Sequence, residues 1–335
     1  MELNTISLNV FVQLANVIFE KAKDAVNKAA RNSGLFATES VPANSGNIRQ
    51  YTEIDLNRYA RVKGESDQAA RAKVQQGYTK NLSSYRVAAD IGISYEMRTQ
   101  NKYNDVINRL TSLANQANER MELDLSHRIT FGTATTYTDM DGRSVDISVG
   151  DTLALFSTAH TVRGSSTTYR NKLANSPQLS RGALEAIEKN AVEQSVNQFG
   201  EKVNISFDIL FTTDDPSTLN TAREYLKSIA SPDSANSGVT NVYEGKYKHV
   251  VLPLIATDNA GLVDSTKAKY WGIASSMATS AHLLVWEEPH LKTPSAGSNG
   301  EDFHTDDWTF GVRAGYGIAV VNGQWIHISL GDGTA

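Results

Sequence analysis

Residues 99–132, TQNKYNDVINRLTSLANQANERMELDLSHRITFG, constrain the fold more than any other stretch, because no proline and no internal glycine interrupts them. Tyr103, Val106, Ile107, Leu110, Leu113, Ala114, Ala117, Met121 and Leu125 recur three and four residues apart, the spacing of one helix face. Thr99 or Asn101 is placed to cap the start with a side-chain oxygen. At ~1.5 Å per residue the helix reaches roughly 45 Å, longer than a small domain is wide. Taken alone it fits either a buried bundle helix or a rod on which other elements are mounted.

The flanks bear on that choice. Residues 9–31 put Val10, Leu14, Val17, Ile18, Ala22, Ala25, Val26 and Ala29 on one face of a second amphipathic helix. After Gly34 the sequence ATESVPANSGN is polar and turn-rich, so helix and tether together read as an arm that docks on a neighbour, on a scaffold or within its own subunit. Further on, Ile54, Leu56, Ala60 and Val62 alternate with polar residues, as do Val87, Ala89, Ile91, Ile93 and Tyr95, which predicts two strands of one long hairpin. The polar connection between them far exceeds an ordinary hairpin loop.

From Arg58 to Arg86 seven basic residues (Arg58, Arg61, Lys63, Arg71, Lys73, Lys80, Arg86) stand against Glu65 and Asp67, a local +5 in a chain of net charge −5. An extended two-stranded ribbon cannot bury enough surface to be stable alone. It is therefore a strand pair completed by another copy of the chain, a solvated flap, or a basic lid over an anionic substrate. From Glu287 to Asp307 the sequence has six acids (Glu287, Glu288, Glu301, Asp302, Asp306, Asp307) and one lysine, equal and opposite to the hairpin.

The middle of the chain alternates strands and helices. Asp141-Gly142 predicts a hairpin turn, favoured over a calcium loop built on Asp139, Asp141 and Asp146 because the third early ligand and the twelfth-position glutamate of such a loop are missing. Residues 153–156 read as a short apolar strand followed by a polar excursion. Ser180 opens a helix with Leu184, Ile187 and Val192 inward, and 205–211 reads as a buried strand. Pro216 after Asp214 and Asp215 opens a helix with Leu219, Ala222, Leu226 and Ile229 as its stripe. YKHVVLPLIA, a strand containing proline, belongs at an edge or a bulge. The tail from Tyr270 is β-rich and is expected to return to the long helix.

The chemistry the chain can carry is limited. It has no cysteine, which excludes disulfides and thiolate metal sites. An acidic net charge argues against a protein built to grip nucleic acid through its phosphates. No apolar run is long enough to span a membrane, and the N-terminus lacks a signal-peptide pattern, which makes the cytoplasm the default compartment. No GxSxG, P-loop, GxGxxG or HExxH motif occurs. The seven histidines are scattered without metal-ligand spacing, His304 in EDFHTDDW being the best placed of them. No catalytic, cofactor or metal residue is assigned.

The order of these parts resembles the major capsid protein of tailed bacteriophages, the Hong Kong phage-type fold of the α+β class. The basic hairpin leaves through RVAADIGISYEMRTQN into the long helix, and LFSTAHTV, DILFTTDDPSTLNTAREYL and KYWGIASS follow. The closing WTFGVRAGYGIAV carries Trp308, Arg313, Tyr316 and Gly317 in the family's terminal pattern. Locally the likeness is strongest to Mu-like head subunits. The resemblance implies an N-terminal arm at 1–47, an extended loop at 48–92, a peripheral domain with the spine helix at 93–155, an axial domain at 156–280 and returning strands at 281–335. It implies a non-enzymatic, cofactor-free virion protein, assembled in the host cytoplasm into pentamers and hexamers of an icosahedral shell around double-stranded DNA. A separate scaffolding protein, a portal and a decoration protein are the further partners, with no sequence-specific DNA contact and no membrane. A large fused scaffold is not expected ahead of so short a leading helix, and no residue is assigned to the covalent cross-link some members form. Arg58, Arg61, Lys63, Arg71 and Lys73 would meet the acidic group of another subunit. An α/β enzyme with a basic lid and a tail-tube subunit are the alternatives.

Overall fold

The computed structural model describes residues 8–29, 34–41, 48–100, 102–232, 239–277, 280–294 and 306–333. In chain order, the first half forms α1 (Leu8–Ala29), β1 (Ala37–Ser40), β2 (Ile48–Leu56), β3 (Val74–Ser83), β4 (Tyr85–Ile93), α2 (Tyr95–Thr99), α3 (Tyr103–Thr130), β5 (Thr136–Thr138) and β6 (Ser144–Asp146). The second half forms β7 (His160–Thr161), β8 (Thr168–Tyr169), α4 (Arg181–Gln194), β9 (Ile209–Thr212), α5 (Pro216–Lys227), β10 (Lys248–Val251), β11 (Trp271–Ala274), β12 (Ala281–Lys292), β13 (Trp308–Val320) and β14 (Ile326–Ser329).

The long helix is α3, 28 residues, and it buries Val106, Leu110, Leu113, Ala114, Ala117, Leu125 and Ile129. Its start differs from expectation. Ser94 caps the separate short helix α2 by accepting from the Met97 amide, and the Thr99 hydroxyl donates back to the Tyr95 and Glu96 carbonyls, so Thr99 closes α2. Lys102 precedes α3 without a side-chain cap, and Asn101 lies outside the described residues.

The first sheet has the order β1-β12-β13-β4 and rests on α3. Here the expected hairpin is corrected: the 87–95 strand is β4, paired antiparallel to β13 from Trp308↔Ile93 to Tyr316↔Tyr85. Its alternating Val87, Ala89 and Ile91 pack with Trp308, Phe310, Val312 and Ala314 against the helix. The ribbon partner of β2 is instead β3, from Ile48↔Ser83 to Leu56↔Val74. β3 reads VQQGYTKNLS, too polar on both faces to show a strand period.

α1 docks within its own subunit, through Phe11, Ala15 and Phe19; of the aliphatic face the periodicity suggested, Ile18 and Ala22 pack on the same core, Val10 and Val17 are exposed, and the side chains of Ala25, Val26 and Ala29 lie outside the described residues. The Phe11 ring lies 5.1 Å from Trp308 and 5.7 Å from Phe310, and large aromatic faces outweigh the smaller aliphatic stripe. Phe19→Ala is expected to cost about 3–5 kcal/mol, read as a lower denaturant midpoint. The tether is also more ordered than its composition implied: Leu35 and Phe36 enter the main core, and β1 pairs parallel with β12.

The second sheet has the order β10-β9-β11-β14, and β9, β11 and β14 are buried along their whole length. β10 is an edge strand, with Pro253 just past its end. Gly272 is required in β11, since a Cβ there would lie 2.1 Å from the His327 carbonyl. α4 and α5 start as expected: Ser180 accepts from the Ala183 amide, and Asp215 from the Thr218 amide with Pro216 in the first turn. Their inner faces are corrected in part, because Ala191 is buried in place of Val192, and Ile229 is 74% exposed. Leu155 and Phe156 are buried without forming a strand, and Ile326–Ser329 joins this sheet instead of returning to the spine. Gly142, at φ +76°, makes the β5–β6 turn that Asp141-Gly142 predicted.

Candidate assembly surface

The β2–β3 ribbon stands on the body and is clipped to it at three levels. At the base, Leu82 is buried with Leu284 and Ala319, and Tyr51 stacks on His282 at 4.0 Å while its hydroxyl donates to Glu39. Burial, with Glu39 beside it, pushes the Tyr51 phenol up to about 12. Arg49 pairs with Glu39 at 2.9 Å.

Midway, a bulge between Thr52 and Ile54 turns Glu53 into the body, where Asn322 and the Gln198 amide donate to its carboxylate, the latter at 2.9 Å. Opposite, Lys80 pairs with Asp146 at 2.8 Å. Higher up, Tyr78 meets Thr161 at 2.7 Å, Gln75 donates to the Arg163 carbonyl, and Arg163 donates to the Gly77 carbonyl at 2.9 Å. The Arg58 amide donates to Glu201 at 3.0 Å, and its guanidinium to the Lys202 carbonyl.

Burial raises the Glu53 carboxyl above its ordinary 4.5, against the hydrogen bonds from Asn322 and Gln198. The folded chain therefore holds this proton better than the unfolded one. The contribution is fully present below about pH 4.5 and is lost as pH rises through the raised value. Glu53→Gln removes the buried charge, and Gln198 Oε1, unpartnered among the described residues, is available to accept from the new amide after a flip. The melting midpoint of the variant relative to the wild type is expected to rise between about pH 4 and about pH 8; a flat difference would contradict the assignment.

Beyond these clips every residue from 58 to 73 is exposed, and the single backbone turn there is Asp67 N–H to the Gly64 carbonyl. Ile54, Leu56, Tyr59, Val62 and Val74 are all more than half exposed, an apolar patch on the outer half of the ribbon. Of the seven basic residues counted in the sequence, Lys80 and Arg86 are satisfied within the subunit, Arg86 by Glu287 at 2.8 Å. Arg61, Lys63, Arg71 and Lys73 project from the tip, with Arg58 at its foot.

The acidic group is spread along the first sheet, Glu287 level with Gly315 and Arg86 near the ribbon root and Asp306 and Asp307 ahead of β13 at the opposite end. Glu287 is half-buried and paired, Glu288 is exposed, and Asp306, at φ +52°, offers its carbonyl to Arg98 at 2.7 Å. Asp307 sits against Gly92, while Glu301 and Asp302, like His304, lie outside the described residues. Among the described residues no ion pair joins the 58–73 tip to this group, and Arg86–Glu287 is the one pair that joins the two charged stretches within the subunit. Sequence reasoning missed Glu53, Gln198, Arg163 and Asn322, because a bulge and contacts more than 80 residues apart leave no local signal.

The other polar sites are internal ties. Asp139, considered for calcium, is buried and takes Arg143 at 3.1 Å and Arg120 at 3.4 Å. His160 is fully buried against Asp151 at 2.8 Å. Burial pushes His127 down to about 4 and His327 to about 3, leaving both rings neutral in the core. Among the described residues no cluster of His, Asp or Glu is placed to hold a metal ion, and no helix is long and apolar enough to cross a membrane.

A clipped ribbon ahead of a long helix, a sheet mounted on that helix and a second α/β sheet together define the Hong Kong phage-type capsid fold. No protein-family model matches the sequence, and no curated protein matches it. Among solved structures the chain is similar to one from Gordonia phage Cozz, with 13% identity, a TM-score of 0.50, and coverage of 89% of this chain and 84% of that one. It is similar to one from Microbacterium phage Oxtober96 at 11% identity and TM-score 0.50, covering 89% and 90%. The mature capsid of bacteriophage PhiM1 matches at 9% identity and TM-score 0.50, covering 89% and 85%. These likenesses are to the fold, and they do not single out the Mu-like group.

Proposed function

We propose that this chain is the major subunit of a tailed-phage-type head, a structural protein that assembles into pentamers and hexamers of an icosahedral shell enclosing double-stranded DNA. The observation that carries the reading is the tip at 58–73. It is a basic stretch, wholly exposed, on a ribbon whose outer apolar residues have no cover in their own subunit. A two-stranded element of this kind gains stability only from further contacts, and a second copy supplies them in every position of a lattice. The likeness to the PhiM1 mature capsid supports the same reading.

On it, residues 1–47 serve as the arm, 48–92 as the extended loop, 93–155 as the peripheral domain, 156–280 as the axial domain and 281–335 as the returning strands, with β14 lent to the axial sheet. The basic tip residues engage acidic groups of a neighbouring subunit. Scaffolding, portal and decoration proteins are the further partners. The net charge of −5 suits a wall that contains DNA without adhering to it. Expression of the full chain followed by size exclusion and negative-stain microscopy tests the proposal. Shells or capsomers are expected; tubes or small compact oligomers would overturn it.

A further inference from the structure

Among the described residues β4 closes one side of the first sheet and pairs only with β13. An edge strand presents unpaired N–H and C=O groups, and proteins ordinarily blunt it with lysine, proline, a bulge or a covering element. β4, YRVAADIGI, has neither lysine nor proline, and its ladder runs nine residues without a register shift. The Arg109 guanidinium donates to the Gly92 carbonyl at 3.0 Å from outside the ladder, so that carbonyl points away from β13. Antiparallel alternation then places the backbone groups of Arg86, Ala88 and Asp90 on the same open side.

Beside this edge runs a groove of about 800 Å³ between β4 and the second half of α3. Val87, Ala89, Ala117, Leu123 and Leu254 line it, and the exposed Met140 stands among its walls. The cations at its border are already paired, Arg86 with Glu287 and Arg120 with Asp124, Asp139 and Asp141. Glu119, in the groove wall, and Asp90, on the edge, have no ion-pair partner among the described residues. The open edge is thus apolar beneath, with an acidic excess at its border.

One segment of the chain has the complementary needs. Residues 59–63, YARVK, are exposed, have no ladder partner and take no helical turn. As a strand their side chains alternate: Ala60 and Val62 share one face, for an apolar floor, and Tyr59, Arg61 and Lys63 share the other, the side on which Asp90 stands on β4. Their length matches the open stretch 86–90. We propose that residues 59–63 of a second copy add as a fifth strand to the free edge of β4, seating Ala60 and Val62 over the groove. This rests on the assembly reading above and specifies where the ribbon tip binds and by what bonds: main-chain hydrogen bonds for affinity, groove contacts for register.

Two variants test it separately from the assembly reading. Ala88→Pro deletes an N–H that faces away from β13 and leaves that ladder intact, a substitution edge strands tolerate. The variant is expected to keep the far-ultraviolet spectrum and melting midpoint of the wild type while particle yield falls at least tenfold. Because the chain has no cysteine, a Val62→Cys chain mixed with a Gln116→Cys chain gives an unambiguous second measurement. Under assembly conditions, oxidation is expected to yield an interchain disulfide several-fold above that of Val62→Cys mixed with Ile229→Cys. Normal particles from a folded Ala88→Pro chain, or no excess of the 62–116 disulfide, would overturn strand addition while leaving the capsid reading standing. If Ala88→Pro does not fold, the disulfide yield decides alone. If the unmodified chain forms no particles, the capsid reading fails and the strand assignment falls with it.

Discussion

Replacing Arg58, Arg61, Lys63, Arg71 and Lys73 together with glutamate is expected to abolish particles while leaving a folded, soluble chain. In the wild type, residues 57–73 hold these five basic residues and two acids, Glu65 and Asp67; after the change the same tip holds seven acids. All five positions are exposed, and among the described residues the internal ties lost are the Arg58 guanidinium bond to the Lys202 carbonyl and its attraction to Glu201. Exposed substitutions of this kind each change stability by no more than about 0.5 kcal/mol, so the melting midpoint moves little. The effect on assembly is far larger, because each contact in a lattice is repeated and like charges set face to face cost several kcal/mol. Sedimentation and negative stain read the outcome directly. Assembly of the wild type should weaken as salt is raised, since exposed charge pairs are screened over about 10 Å at 0.1 M. Normal shells from the reversed chain would show that charge pairing by the tip does not order the lattice.

A loss of stability comparable with that of Phe19→Ala is expected from Asp124→Ala. Asp124 is buried on α3 and accepts the Tyr85 hydroxyl at 2.7 Å, the Tyr316 hydroxyl at 2.6 Å and Arg120 Nε at 3.2 Å. Arg120 in turn reaches Asp139 at 3.4 Å and Asp141 at 3.0 Å, and Arg143 lies 3.8 Å above the Tyr85 ring. Removing the carboxylate takes the acceptor from two hydroxyls and the Nε partner from Arg120, which keeps Asp139 and Asp141, so the cost is set at the lower end of the range of about 3–5 kcal/mol for breaking a buried pair from one side. Tyr85→Phe and Tyr316→Phe each remove one hydrogen bond and should cost about 1 kcal/mol. Asp124→Ala with Arg120→Ala should cost less than the two singles added, the sign of a direct coupling. Chemical denaturation of the set checks these values; equal losses from Asp124→Ala and Tyr85→Phe would contradict the role given to the charge. Tyr85 begins β4 two residues after β3 ends, so this network fixes the root of the ribbon to the spine helix. Asp124→Ala should also lower particle yield at temperatures where the chain remains folded.

How much of this was legible beforehand depended on the range of the interaction involved. α3, the helix starts at Ser180 and Asp215-Pro216, and the Asp141-Gly142 turn are set by residues within one or two turns of each other, and they fall where the local pattern put them. Periodicity found only part of the buried face of α1: Ile18 and Ala22 pack on the core as predicted, but Phe11 and Phe19 lead it, Phe11 through Trp308 and Phe310 nearly 300 residues away. The basic tip was visible as composition, yet two of its seven charges proved to be spent inside the subunit on Asp146 and Glu287.

By itself the sequence determined that the chain would have a long rigid helix, a cationic polar excursion before it, no cysteine chemistry and a β-rich tail, since those follow from side-chain spacing and charge. Which strands pair was decided only in three dimensions. β4 left the ribbon for the body because Val87, Ala89 and Ile91 pack there against α3 and β13, and the polar β3 took its place beside β2 chiefly by main-chain hydrogen bonds. Backbone pairing leaves no mark on the side chains that make it, so both the ribbon and the open edge of β4 became apparent only once the chain was folded.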